Sequence, residues 1–164
     1  MKTVVILDNG HGVNTPGKCS PDKRIKEYSY TREIVKRISE TLTKDNIENV
    51  ILVPEEIDIP LSTRVSRANS INSKEKLKGN NTILISIHLN AAGNGQWNTA
   101  RGFSVYVSKN ASNKSKTLAS LFTSTSLAKN LKGNRATPKE GYYSQNFYII
   151  KNTVMPAVLT ENLF

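Results

Sequence analysis

Short apolar runs rich in β-branched residues alternate with longer stretches of helical periodicity along this chain. The clearest run, Thr82–Ile87, is almost continuously β-branched, which is typical of a strand in a buried central position of a sheet. The other predicted strands are Thr3–Leu7, Val50–Val53, Gly102–Val107, Phe147–Ile150 and Ala157–Thr160. Because strands that alternate with helices form sheets covered by those helices, the pattern predicts an α/β fold with helices on the faces of the sheet.

Three stretches place apolar side chains at helical spacing. The first stripe is Tyr28, Thr31, Ile34, Val35, Ile38 and Leu42; the second is Leu61, Val65, Ala68 and Ile71, with Ser62 as its predicted N-cap; the third is Leu118, Leu121, Phe122 and Leu127. The 164 residues are enough for one sizeable core, and no internal repeat, low-complexity tract or linker divides them. We therefore expect a single domain spanning residues 1–164.

The chain carries a net charge of +10, from 23 Lys and Arg against 13 Asp and Glu. Such a charge predicts affinity for polyanions, and nucleic acid, anionic cell-wall polymers and acidic membranes all satisfy the electrostatics. The basic residues are spread along the sequence, without an Arg-rich block or a basic stripe interleaved with aromatic residues. Nucleic acid is therefore not an expected partner, and a solubilising surface charge accounts for the composition equally well.

The start of the chain and its cysteine content favour a protein made in the cytoplasm. The apolar run of residues 4–7 is too short for the core of a signal peptide, and no small-residue cleavage site follows it. No apolar stretch approaches the length of a transmembrane helix. The single cysteine, Cys19, excludes a disulfide-stapled scaffold and is compatible with a reducing compartment.

Residues able to carry chemistry follow the predicted strands at their carboxyl ends. Asp8 and His11 come after the first strand, His88 ends the most strand-like run, and Glu161 closes the last. Glu27 opens the first predicted helix, just after the loop that contains His11. Ligands of open α/β sheets gather at the carboxyl ends of strands, so we expect these side chains on one rim of the sheet.

Two imidazoles and one carboxylate are a standard ligand set for catalytic zinc, with the fourth position left for water. By this chemistry His11, Glu27 and His88 would bind Zn²⁺, and Glu161 would be the base outside the ligand set. Asp8 is interpreted as an acceptor that fixes the loop. The spacing gives only weak support, because the two histidines lie 88 − 11 = 77 residues apart and form no compact motif.

Each of these residues also has another interpretation. A lone histidine is more often a surface or satisfied core residue, and Glu27 could be merely a favourable acid at a helix N-terminus. Cys19 supports a rival class, a Cys–His amidase with His11 or His88 as base, although its loop shows no helix N-terminus that would activate a thiol. A non-catalytic basic module that binds nucleic acid or wall polymer accounts for the charge, but not for the residues at the strand ends.

Several motifs, in order along the chain, resemble the zinc-dependent N-acetylmuramoyl-L-alanine amidases of the amidase-3 type. The matching segments are Ile6–Gly12 in the opening strand and loop, Lys26-Glu27 at a helix start, Leu61–Val65 with Ala68-Asn69 in the second helix, Ser86–Ala91 at a strand end and Met155–Glu161 in the last strand. The resemblance runs from residue 4 to residue 164.

The resemblance implies hydrolysis of the amide that joins the lactyl group of N-acetylmuramic acid to L-alanine in peptidoglycan. It also implies a mixed, mostly parallel sheet of about six strands with helices on both faces. Carried over position by position, His11, Glu27 and His88 are expected to bind Zn²⁺, and Glu161 to be the general base that later protonates the leaving amine. A zinc peptidase acting on a wall peptide bond stays open as an alternative.

Without a signal peptide or a wall-binding repeat, the chain fits a phage-type endolysin, expected to be a monomer that reaches the wall after release or export. It also fits a catalytic fragment of a larger hydrolase. Asn9 stands where the family commonly has proline, and Asn162 where it more often has glycine. Relatives usually continue through a final helix beyond the position of Phe164, so we expect that helix to be lacking. Arg64 and Asn69 are interpreted as structural residues on a helix face.

Overall fold

A mixed sheet of six strands lies at the centre of the part of the chain that the computed structural model describes, residues 1–93, 95–125, 129–131 and 133–163. Its strands are β1 (Thr3–Asn9), β2 (Asn49–Ile51), β3 (Asn81–His88), β4 (Ser104–Val107), β5 (Tyr143–Ser144) and β6 (Ala157–Glu161). Their order is β2-β1-β3-β6-β4-β5, and every neighbouring pair is parallel except β4 with β6. The predicted α/β class, with one mostly parallel sheet in a single domain, is confirmed.

Helices cover both faces of this sheet. They are α1 (Glu27–Lys44), α2 (Leu61–Leu77), α3 (Asn113–Ser124) and α4 (Tyr148–Asn152). Helices α1 and α3 pack on one face, where Val35 and Ala119 are buried in two clusters joined by Ile85 of β3. Helices α2 and α4 pack on the opposite face, where Ala68 and Ile149 are buried in the largest cluster. Because both faces are covered, the central strands carry apolar residues on both of their faces.

The three strands β1, β3 and β6 are parallel neighbours, so their carboxyl ends meet at one edge of the sheet. In β3, Ile83 and Ile85 pack toward α1 while Leu84 packs toward α2, which is the alternation of a strand. The antiparallel strand β4 begins at the same edge, since Ser104 pairs with Glu161 at the end of β6. Side chains at this edge are therefore positioned by the buried central strands of the sheet.

The prediction of a strand over Phe147–Ile150 is wrong. This run enters α4, with Phe147 as its N-cap. The adjacent residues Ile149 and Ile150 are buried in one cluster, as in a helix, whereas neighbours in a strand point to opposite faces. A short apolar run does not distinguish the two structures by its periodicity. The sixth strand is β5, which the sequence analysis missed because only two residues form it.

The prediction of Ser62 as an N-cap is also wrong. Helix α2 begins at Leu61 after Pro60, without a side-chain cap, and the Pro60 carbonyl accepts the N–H of Arg64 at 3.0 Å. The other predicted strands are present, with ends shifted by up to two residues. The predicted helical position Leu127 lies outside the described residues. Among the described helices, none has the length and apolar character needed to cross a membrane.

Candidate metal centre

The three predicted metal ligands converge at the sheet edge where β1 and β3 end. His11 follows β1, His88 is the last residue of β3, and Glu27 is the first residue of α1. One potential ligand atom from each of the three residues lies within 4.8 Å of the other two. Glu27 Oε1 is 3.1 Å from His88 Nδ1 and 3.4 Å from His11 Nε2. The residues brought together are thus the ones whose chemistry predicted a metal site.

The pairing of β1 with β3 carries the two histidines to the same point. Asn9 pairs with Ile87, and the Gly10 N–H then donates to the Ile87 carbonyl at 3.0 Å. A Cβ atom at residue 10 would lie 2.3 to 2.7 Å from atoms of the His88 ring. Glycine is therefore required at this position, because the imidazole packs directly on the backbone.

The loop after β1 holds His11 in an unusual conformation. Its φ is 63°, in the left-handed region that non-glycine residues seldom adopt. The His11 carbonyl accepts hydrogen bonds from Arg32 Nη1 at 3.1 Å and Arg64 Nη2 at 3.3 Å. Arg32 also donates to the Glu55 carbonyl at 2.6 Å, a role that the sequence analysis did not identify. Two guanidinium groups thus stabilise the backbone that directs the His11 ring.

Glu27 presents a buried carboxylate to both imidazoles. Its Oε1 also accepts the Leu89 N–H at 3.0 Å. Burial on its own would raise the pKa of Glu27, but the close contacts and charges of His11 and His88 outweigh burial and hold that pKa far below its usual range. Glu27 is therefore an anion that contacts both histidines. A favourable interaction with the helix N-terminus would not by itself require these contacts.

The donor atoms of this cluster fit a zinc ion. Two imidazole nitrogens and a carboxylate oxygen are the ligand types of catalytic zinc sites. His11 Nε2 is buried, and its 3.4 Å contact with Glu27 Oε1 lacks the geometry of a hydrogen bond. Buried ring nitrogens are ordinarily hydrogen-bonded. A buried ring nitrogen without a hydrogen bond among the described residues therefore fits the role of a metal ligand.

Glu161 lies beside the cluster without belonging to it. It is the last residue of β6 and pairs in register with His88 of β3. Its Oε2 is buried without a hydrogen-bond partner in the described part of the chain. Burial raises the pKa of Glu161 to about 7; the positive charge of His88 opposes this increase and the negative charge of Glu27 adds to it. A carboxylate able to exchange protons near neutral pH thus adjoins the candidate metal ligands.

Comparisons with known proteins agree with this geometry. A family model for N-acetylmuramoyl-L-alanine amidases of the amidase-3 type matches residues 5–164. The chain belongs to the amidase-3 family. It is 28% identical over 167 residues to the endolysin of Bacillus phage SPP1, an alignment that covers 100% of this chain and 55% of the endolysin. The chain therefore spans about half the length of this curated relative.

Solved amidases have the same fold. The N-acetylmuramoyl-L-alanine amidase from Clostridium difficile 630 is 31% identical, with a TM-score of 0.81 over 99% of this chain and 80% of that one. The catalytic domain of CwlV, an N-acetylmuramoyl-L-alanine amidase from Bacillus (Paenibacillus) polymyxa var. colistinus, is 26% identical, with a TM-score of 0.73 over the same shares of the two chains. The sheet and its flanking helices are therefore those of an amidase-3 domain.

A buried ion pair between Arg64 and Asp8 stabilises the loop that follows β1 in this amidase-3 domain. The Arg64 side chain is 2% exposed and donates to Asp8 Oδ1 at 2.8 Å, to the Asn9 carbonyl at 2.7 Å and to Asp58 Oδ1 at 2.9 Å. Asp8 also accepts from Ser86 Oγ of β3 at 2.6 Å, so it is the acceptor that the sequence predicted, and Arg64 links it to the backbone of the loop. One signal pointed to the burial of Arg64, because it lies on the apolar stripe of α2 between Leu61 and Ala68.

Asn69 is also structural, as the sequence analysis expected. Its Oδ1 accepts the Val154 N–H at 3.0 Å, and its Nδ2 donates to the Asn152 carbonyl at 3.2 Å. These bonds join α2 to the end of α4, on the face of the sheet opposite α1. Asn69 therefore stabilises the packing of the amidase-3 domain and makes these contacts away from the histidine cluster.

Replacing Arg64 with Met should destabilise the fold by about 3–5 kcal/mol, because the Asp8 carboxylate would stay buried without its charged partner. Denaturant unfolding measures the effect. Arg37→Met is the control: it makes the same chemical change in an exposed ion pair with Glu33 on α1, so its cost should be much smaller. If the two variants lose equal free energies of unfolding, the buried Arg64–Asp8 pair contributes no more to stability than an exposed pair.

Proposed function

We propose that this chain is a zinc-dependent hydrolase of the amide bond between N-acetylmuramic acid and L-alanine in peptidoglycan. Membership of the amidase-3 family supports the proposal. The observation that carries it is the convergence of His11, Glu27 and His88 beside the buried carboxyl group of Glu161. The alignment with the endolysin covers 55% of that protein. The activity assigned to this chain is therefore a proposal.

In this proposal His11, Glu27 and His88 hold the zinc ion. A bound zinc ion supplies a Lewis acid that polarises the amide carbonyl and lowers the pKa of water toward about 7. The low pKa of Glu27 keeps its carboxylate ionised and able to act as a ligand, and the Leu89 N–H orients it. Close packing on Gly10 fixes the plane of the His88 ring.

Glu161 is the proposed general base and general acid. Its unpartnered Oε2 adjoins the cluster and can accept the proton of the attacking water. The same carboxyl group can then pass that proton to the nitrogen of L-alanine as the carbon–nitrogen bond breaks. A pKa near 7 suits both steps. The chain has only two histidines, and both lie in the proposed ligand set, so neither is free for this work.

We also propose that the chain acts as a monomer at the cell wall, which it reaches after release or export. The endolysin among its relatives supports this setting. The net charge of +10 would favour adhesion to anionic wall polymers without selecting the bond that is cleaved.

Removal and return of the metal test the proposal. Elemental analysis of the purified protein should give one zinc ion per chain. Dialysis against a chelator should abolish the cleavage of purified peptidoglycan, and added Zn²⁺ should restore it. Full activity of the metal-free protein would overturn the zinc dependence. New amino termini inside the peptide stem would instead support the wall-peptidase alternative.

Replacing Cys19 with Ala should leave the rate of peptidoglycan cleavage unchanged. The thiol is free and exposed, and it does not belong to the histidine cluster. The pairing of Cys19 with Lys26 is an isolated β-bridge, which the backbone makes without the side chain. Initial rates of the variant and the parent protein, compared at equal zinc content, measure the effect. A loss of activity with zinc retained would favour the Cys–His amidase interpretation instead.

A further inference from the structure

A cleft of about 490 Å³ is lined by residues that follow His88 in the chain and by the segment that contains Arg135. Its lining includes Asn90, two residues beyond His88, together with Asn134 and Arg135. Residues of the loop around Asn98 also line it. A substrate whose scissile amide lies at the metal centre can therefore enter this cleft past Asn90.

Arg135 is held in place on the wall of the cleft. Its guanidinium carbon lies 4.0 Å from the centre of the Tyr143 ring, and its Nη1 donates to the Tyr106 hydroxyl at 2.7 Å. The two tyrosines pair across β4 and β5, and their rings stack with centroids 5.2 Å apart. Tyr106 is buried and also contacts Phe147 edge to face. The cation therefore lies on the Tyr143 ring and is hydrogen-bonded to Tyr106, both residues of the sheet, which reduces the entropy lost when it binds a ligand.

This fixed cation has no acidic partner in the described part of the chain. Arg64 and Arg67 each pair with a carboxylate, whereas Arg135 donates to the Tyr106 hydroxyl and stacks on Tyr143. Neighbouring Asn134 is occupied with holding the loop, since it donates to the Thr99 carbonyl at 2.8 Å and accepts the Arg101 N–H at 3.2 Å. The guanidinium keeps donors beyond the one given to Tyr106, and their planar arrangement matches a carboxylate.

We propose that Arg135 binds a free carboxylate of the peptide stem and makes the chain prefer acidic stems over amidated ones. This inference rests on the proposed function. Strand β5 lies three strand spacings from β3, which is about 14 Å, or the length of about four extended residues. A short peptide leading away from the scissile amide reaches that far, and its carboxylates are the anionic groups it can offer to Arg135.

Pairs of synthetic muramoyl peptides test the proposal. Members of a pair differ only in having a carboxylate or a carboxamide, either at the second stem residue or at the end of the stem. For one of these positions the KM of the parent protein should be about tenfold or more lower for the acid. Arg135→Met should remove this difference by raising the KM for the acid with kcat nearly unchanged, and Arg135→Lys should keep part of it.

Lys116→Met is the matched control, because it removes an exposed cation from α3 outside the cleft lining. It should leave every KM unchanged. Equal KM values of the parent protein for acid and amide at both positions, or an Arg135→Met variant that keeps the preference, would overturn the role of Arg135. If Arg135→Met does not fold, the parent protein and Arg135→Lys still decide the question.

The proposed function can fail separately. If the zinc-loaded parent protein leaves the muramoyl–alanine bond intact, that function is wrong. Binding of the same peptides to Glu161→Gln, measured by calorimetry, then decides the Arg135 proposal: tighter binding of an acid than of its amide supports it, and equal binding overturns it.

Discussion

Replacing Glu161 with Gln is expected to lower kcat by about 100- to 10,000-fold while the protein keeps its zinc. The amide has nearly the shape of the carboxyl group but cannot take a proton from water or return it to the leaving amine. Neither histidine can substitute, since both lie in the proposed ligand cluster. The fold should tolerate the change, because Glu161 Oε2 makes no hydrogen bond within the described residues.

The measurement pairs initial rates on purified peptidoglycan with elemental analysis of the same samples. Glu140→Gln is a suitable control, since it makes the same chemical change at an exposed position and should leave both values unchanged. A Glu161→Gln variant that keeps more than about a tenth of the activity would exclude Glu161 as the base. Loss of zinc from this variant would instead make Glu161 a ligand.

Replacing His88 with Ala is expected to remove the zinc and the activity together. Glu27 would lose its partner at 3.1 Å, and two ligands would remain of the three that the site offers. A site with two protein ligands holds zinc far less tightly than one with three, so the metal should be lost during gel filtration.

His11→Ala should give the same result as His88→Ala, since each variant keeps one imidazole and Glu27. Zinc content and far-ultraviolet circular dichroism, measured on both variants, separate metal loss from unfolding. Full zinc retention by either variant would show that the replaced histidine is not a ligand. Loss of zinc in the histidine variants, with retention in Glu161→Gln, is the pattern that distinguishes ligands from base.

Most of the fold follows from periodicity that can be read along the sequence. The buried strand β3 and the amphipathic helices α1 and α2 have long, consistent patterns, and the structure contains all three. The errors fall on short elements. A run of four apolar residues before Lys151 has no resolvable period, and β5 is too short to leave a pattern. The structure of these short elements is determined by tertiary packing rather than by their local sequence.

The positions of the candidate site residues were predicted, while the groups that support them were found only in the structure. Strand ends bring His11, His88 and Glu161 to one edge because parallel neighbours share that edge. The pairing of Arg64 with Asp8 joins residues 56 apart and depends on how α2 packs on β1. The left-handed backbone of His11 likewise depends on hydrogen bonds from two helices. The roles of the site residues stay predictions.

The most direct test is the identity of the bond that the zinc-loaded protein cleaves. Purified peptidoglycan is digested with zinc-loaded and with chelator-treated protein, the newly exposed amino groups are labelled, and the products are identified by mass spectrometry. The expected result is labelled L-alanine at the new amino terminus, a free lactyl carboxyl group on muramic acid, and both only with the zinc-loaded protein. New termini at any other residue, or the same release of L-alanine by metal-free protein, would contradict it.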